Sequence, residues 1–202
     1  MSFIKQHSFK IAVIALVLAL GAYLFYSYVW SPSEPLPIEK AAPAFEMEDI
    51  DGNVVSLDNT AGKARIVYFY FANCPDVCPP TTFLLSEAQE KLIADKKMGS
   101  EVEFISITFD PERDTPDVIR SFAERNFAKF DGWHFLRGEE EPTIKLAEEY
   151  GVGVMKIEEQ NTFAHYNFII LVDQNNQIRK WFNGSDEELT ADDIVKDIKS
   201  LL

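Results

Sequence analysis

Residues 65–92 read RIVYFYFANCPDVCPPTTFLLSEAQEKL, and three textures follow one another in that stretch. The opening RIVYFYF is a short run of β-branched and aromatic residues, with the length and composition of a strand buried on both faces. From Thr81 the apolar residues Phe83, Leu84, Leu85, Ala88, Leu92 and Ile93 recur at helical spacing, which predicts a helix reaching Lys97. Between them stands ANCPDVCPP, with Cys74 and Cys78 four positions apart at a strand-to-helix junction. These are the only two cysteines of the 202-residue chain. A helix N-terminus favours negative charge, so a thiol held there is biased towards thiolate.

The alternation continues on both sides. Upstream, FEMEDIDGNVVSL predicts a hairpin turning at Asp51-Gly52. Downstream, VEFISITF (102–109) is a second buried strand, and Thr115-Pro116 supply an N-cap and first residue for a helix over DVIRSFAERNF. WHFL is a short strand, and residues 142–150 are helical with Gly151 placed to end them. NFIILVD and QIRKWF form an antiparallel hairpin through Asn175-Asn176, and Thr190 caps a last amphipathic helix ending at Leu202. The order β-β-β-α-β-α-β-α-β-β-α predicts a mixed sheet covered by helices. It fits an α/β domain over residues 44–202, of thioredoxin-like fold with an N-terminal β-hairpin extension.

Ahead of the domain, residues 11–30 (IAVIALVLALGAYLFYSYVW) carry no charge. Twenty helical residues rise about 30 Å, the thickness of a bilayer's hydrocarbon core. Lys5 and Lys10 precede the segment, and Glu34 and Glu39 follow it. The reading is one transmembrane helix in the cell membrane, with residues 1–10 cytoplasmic and the remainder extracytoplasmic. A cleaved signal peptide would have a shorter apolar run and small residues at its cleavage site. This segment ends instead on Tyr23, Phe25, Tyr26, Tyr28 and Trp30, which suit a membrane interface. Residues 31–43 hold four prolines and predict an extended, semi-rigid linker.

Thirty-three acidic residues against 19 basic ones give a net charge of −14, which argues against nucleic acid as a partner. Two cysteines are too few to staple a scaffold, so the core must come from apolar burial and should form without metal.

Two thiols so close are a redox couple or a pair of soft metal ligands. A structural disulfide across so short a loop would add little stability. The spacing is not the C-x-x-C of an ordinary thioredoxin-type redox site. Nor can a proline stand opposite the cysteines before NFIILVD, because the last proline of the chain is Pro142. FAHYN occupies that place and brings His165. Two thiolates and an imidazole make a soft three-donor set suited to copper. His134 reads as a partly buried strand residue, and His7 precedes the apolar segment.

FANCPDVCP, then SITFDPERDTP, then the H-x7-D of HYNFIILVD together resemble the SCO/SenC family of membrane-anchored, thioredoxin-like copper proteins. The resemblance covers residues 44–202. It implies a copper site of Cys74, Cys78 and His165, holding Cu(I) or Cu(II). It also implies a metallochaperone role in building the CuA centre of cytochrome c oxidase, with the oxidase's copper-bearing subunit as partner. The chain departs from the family pattern at Tyr70 and Ala72, where glycine and threonine are usual, and at Ala164, where aspartate commonly precedes the histidine.

The alternative reading is a thiol-disulfide oxidoreductase in which Cys74 and Cys78 are the redox pair, reducing the acceptor's own cysteines. A peroxiredoxin-type peroxidase is disfavoured by Phe71, which stands where threonine or serine would polarise peroxide. In DPERDTP, Asp110 either approaches the cysteines from the end of its strand or belongs to a turn. Arg113 and Asp114 are expected to pair, and Glu139 to Glu141 to form a solvated helix entry.

Overall fold

The computed structural model describes residues 2–29 and 35–202; Trp30 and residues 31–34, part of the predicted membrane segment and linker, lie outside them. The chain divides into two compact units, Met1–Glu34 and Pro35–Leu202. In the first, helix α1 (Ser2–Val29) starts well before the predicted residue 11. Residues 2–10 contain neither proline nor glycine, so nothing stops the helix there. Within α1, His7–Tyr26 is long and apolar enough to cross a membrane.

The second unit is built on an eight-stranded sheet. Its strands are β1 (Lys40–Ala41), β2 (Glu46–Asp49), β3 (Val54–Ser56), β4 (Ala64–Tyr70), β5 (Val102–Thr108), β6 (Trp133–Arg137), β9 (Phe168–Val172) and β10 (Gln177–Asn183), in the order β1-β10-β9-β4-β5-β6-β2-β3. A separate hairpin pairs β7 (Val154–Ile157) with β8 (Thr162–His165). The helices are α2 (Cys78–Ala94), α3 (Pro116–Arg125), α4 (Glu140–Glu149) and α5 (Ala191–Lys199). All seven residues of β4 and all seven of β5 are buried, as their β-branched and aromatic composition predicts for central parallel strands.

Neighbouring residues of a strand face opposite sides of its sheet. On one side of β4, Tyr70 stacks 5.2 Å from Phe122 of α3. On the other, Phe69 meets Tyr150, just past α4, at 5.5 Å. Helices therefore cover both faces. Burying one such ring contributes roughly 2–3 kcal/mol. The helix starts follow the sequence signals: Thr115 Oγ1 accepts from the Val118 amide, and Thr190 forms a reciprocal capping box with Asp193.

Helix α2 begins at Cys78, three residues before the predicted Thr81. Pro79 and Pro80 fall in its first turn, where a missing amide hydrogen breaks no helical bond. Two further elements carry no strong sequence signal. The β7–β8 hairpin is short and mostly half-exposed, so apolar alternation is weak. The other is β1, inside the stretch predicted as a linker.

Residues 36–43 are in fact fastened to the domain. Lys40–Ala41 pair with β10, Arg179 donates to the carbonyls of Leu36 and Pro37, and the Tyr150 hydroxyl donates to Pro43 O at 2.8 Å. An extended, proline-rich backbone leaves its carbonyls free, and here the domain uses them.

Candidate metal centre

Strands β4, β5 and β6 run parallel and end at one edge of the sheet. Strand β9 runs against β4, with Tyr68 opposite Ile169, so it begins at that same edge. The loop leaving β4 carries Cys74, the first residue of α2 is Cys78, and the last residue of β8, just before β9, is His165. Topology thus brings together residues 87 positions apart, at the edge where α/β folds gather their sites.

The two sulfurs and an imidazole nitrogen lie within 4.8 Å of one another. Cys78 Sγ is 3.7 Å from His165 Nε2. The Cys78 amide, at the N-terminus of α2, points at Cys74 Sγ from 3.4 Å. Both cysteines are free thiols, Cys74 nearly and Cys78 fully buried. The imidazole packs edge-on against Phe109 at 5.2 Å and Phe71 at 6.1 Å. Phe71, which counts against peroxide chemistry, thus forms a wall of the site. His165 Nδ1 lies 3.1 Å from Tyr166 O. With Nδ1 held at that carbonyl, Nε2 faces the sulfurs. The backbone therefore orients the ring, and Ala164 needs no carboxylate for the purpose.

The two thiols are unlike. Hydrogen bonding from Cys78 leads in lowering Cys74 to about 4, against its burial and with help from His165 and the amides of Asp76 and Cys78. Burial, reinforced by the neighbouring Cys74 sulfur, pushes Cys78 well above the usual thiol range. The pair then holds one proton, on Cys78. At pH 6 iodoacetamide should alkylate Cys74 and spare Cys78 in the folded dithiol protein, as peptide mapping can read. Equal labelling of both, or labelling that begins only above about pH 8, would contradict this asymmetry.

The DPERDTP turn departs from expectation. Arg113 does not pair with Asp114; its Nε lies 2.5 Å from Asp110 Oδ2. Consecutive residues point apart, whereas residues three apart on a helical turn meet. Asp110, engaged in this way, has no hydrogen bond to either cysteine among the described residues. Arg113 also donates to Asn161 O at 2.5 Å and lies over the Phe163 ring at 6.0 Å, which ties the turn to the hairpin bearing His165.

Asp114 turns inward. Its Oδ2 accepts from the Ala72 amide at 2.8 Å and from Thr108 Oγ1 at 2.5 Å. It therefore holds the cysteine loop two residues before Cys74, from a fully buried position. Burial lifts its carboxyl to about 6, although both hydrogen bonds pull the other way. Nothing in the sequence signals this role, since an acid before a capped helix reads as a surface turn.

The other candidates stay outside the site. Glu139 precedes α4, while Glu140 in its first turn pairs with Lys156 of β7 at 2.7 Å. His134 is half-buried, 3.7 Å from Glu103, near the starts of β5 and β6 and away from the cysteines.

A thioredoxin-like sheet that gathers two unequal thiols and an oriented imidazole at its carboxyl edge defines a protein of soft-metal or thiol redox chemistry. Residues 34–202 match the sequence model of the SCO1/SenC family, and the chain belongs to that family. It is 32% identical over 166 residues to the SCO1 protein homolog of Bacillus subtilis, covering 81% of this chain and 84% of the relative. Among solved structures it resembles BsSco, described with a disulfide switch and as a member of the Sco family of cytochrome c oxidase assembly proteins. The TM-score is 0.72 at 31% identity, over 83% of this chain and 98% of the other. It also resembles Bradyrhizobium japonicum ScoI with copper bound, with TM-score 0.67 at 28% identity, over 80% and 99% of the two chains.

Proposed function

We propose that this protein is a membrane-anchored, extracytoplasmic copper-binding protein that carries copper to the CuA-bearing subunit of cytochrome c oxidase. Cys74, Cys78 and His165 hold the copper. The reading rests on one observation above the rest: three donors, two sulfurs and an imidazole nitrogen, converge within 4.8 Å, with Nε2 of His165 already turned towards the thiols. Thiolates and imidazole are the donors that Cu(I) prefers. Copper is bound in the Bradyrhizobium relative, and the BsSco relative belongs to a group of oxidase assembly proteins. The anchor is α1, with Lys5 and Lys10 ahead of the charge-free run that starts at Ile11 and the acidic residues Glu34 and Glu39 beyond it.

A second reading has its own support. A thiolate-prone Cys74 beside a protonated Cys78 is the division of labour of a dithiol that attacks disulfides, and the BsSco relative is described with a disulfide switch. On this reading the pair reduces the acceptor's cysteines before metal arrives. Only the first reading needs His165 as a metal donor; in the second its part is to help Cys74 towards the thiolate. In the reduced protein, His165→Ala should weaken Cu(I) binding about 10- to 100-fold in a chelator competition. The Cys74–Cys78 reduction potential should stay nearly unchanged. Unaltered copper affinity with a loss of thiol-exchange rate would overturn the first reading in favour of the second.

A further inference from the structure

Behind the three donors lies a polar node that neither the motif nor the metal chemistry requires. Asn167, two residues after His165, is buried. Its side chain enters the domain between β4, α2 and the loop after β10. Oδ1 accepts from the Tyr68 hydroxyl at 3.1 Å. Nδ2 donates to Thr81 Oγ1 at 2.9 Å and to Ser185 Oγ at 3.1 Å. Its carbonyl accepts from the Gly184 amide at 2.8 Å, and Thr81 Oγ1 in turn donates to Gly184 O at 3.3 Å. Gly184 is packed so closely that a Cβ there would come within 2.9 Å of Asn167 Nδ2 and 3.1 Å of Thr81 Oγ1.

The elements joined here are the ones that carry the site. Thr81 lies one helical turn beyond Cys78 on α2. Tyr68 is on β4, whose end leads into the cysteine loop. Asn167 itself directly follows Tyr166, whose carbonyl orients the imidazole. His165 belongs to a two-stranded hairpin outside the main sheet, so the main sheet's ladder does not fix its distance from Cys78. A side chain that satisfies several polar groups in a low-dielectric interior has one good geometry and resists others.

We propose that Asn167 is a positioning residue that sets the spacing of His165 from Cys78 and so tunes the copper affinity of the site. The copper part of this inference rests on the function proposed above; the spacing part does not.

Asn167→Leu keeps the branched outline of the side chain and removes the node, and Thr81→Val removes one partner with less risk to folding. Two measurements are needed on each variant. Hydrogen exchange at the Tyr166 and Phe168 amides of the metal-free protein should quicken by about tenfold, with central β4 and β5 amides unchanged. Cu(I) affinity of the reduced protein should fall about 10-fold, and a cycle with His165→Ala should be non-additive, the two losses overlapping. Asn167→Asp, which keeps the acceptor for Tyr68, should recover most of the parent's protection at Tyr166.

Unchanged exchange at Tyr166 and Phe168 in both variants would overturn the proposal, as would losses of affinity that simply add. If exchange quickens while copper affinity is indifferent to both Asn167→Leu and His165→Ala, the spacing role stands. In that case it is the copper reading that fails.

Discussion

Cys74→Ser protein should retain no copper against a chelator concentration that leaves the parent loaded. Each soft donor in a structural site is worth about 3 kcal/mol, so a lost thiolate lowers affinity by roughly two orders of magnitude or more. Serine cannot replace it, because a hydroxyl is a hard, protonated donor at neutral pH. Cys78→Ser should do the same, but Cys78 is fully buried and its replacement disturbs the helix start as well. Cys74, nearer the surface, is therefore the cleaner test, with a far-ultraviolet spectrum and cooperative unfolding as folding controls. Oxidising the parent to the Cys74–Cys78 disulfide should give the same loss, and a reductant should restore binding. Copper retained at parental affinity by Cys74→Ser would remove the sulfur pair from the site.

The second large effect is one of stability. Asp114 titrates near 3.8 when free and near 6 in the folded protein. Between those values the folded state binds more protons than the unfolded one. Its contribution to stability is therefore greatest in acid and is lost as pH rises from about 4 to 6. A carboxyl raised that far carries a penalty of about 3 kcal/mol at neutral pH. Asp114→Asn keeps an oxygen for Ala72 and Thr108 and removes the charge. The variant should match the parent below about pH 4 and exceed it by about 1–3 kcal/mol above pH 6, as urea unfolding across that range would read.

Asp114→Ala should behave differently. It leaves the Ala72 amide buried without this acceptor, at a cost of about 1–3 kcal/mol that pH does not relieve. Taking the difference between variant and parent at each pH cancels the opposite trend contributed by Cys74, whose lowered pKa favours the folded state as pH rises. A difference that stayed flat for Asp114→Asn would mean that the carboxylate is not held charged in the core.

Much of this architecture can be read from the sequence because its signals are local. Buried parallel strands read as short runs rich in β-branched and aromatic residues, and the Thr115-Pro116 and Thr190 caps mark helices α3 and α5 where the structure has them. The three donors stand out because cysteine is so rare in this chain and because His165 fills the place where such folds normally put a proline. What holds those donors is less visible. Asp114 lies in a turn crowded with charge, and nothing in its neighbours tells that it faces inward while Arg113 turns to Asp110. Asn167 reads as a polar residue leading into a strand, because its partners are 99, 86 and 18 positions away. Short range is where sequence pattern is strong; supports assembled across the fold escape it.

The two residues of β1 have a consequence for how the molecule meets others. A sheet that stops on an open strand offers its unpaired amides and carbonyls to any extended chain nearby, its own copies included. On this side of the sheet β10 would be that strand. Lys40 and Ala41 instead lie along it, opposite Ile178 and Gln177, with Arg179 gripping the backbone just upstream. The outermost position thus goes to a strand too short to recruit another, and Lys40 crowns it with a charge that reaches the Glu149 carbonyl at 2.7 Å. A proline-rich stretch whose composition suggests a spacer serves as a selvedge, the finished border that keeps the sheet from being extended.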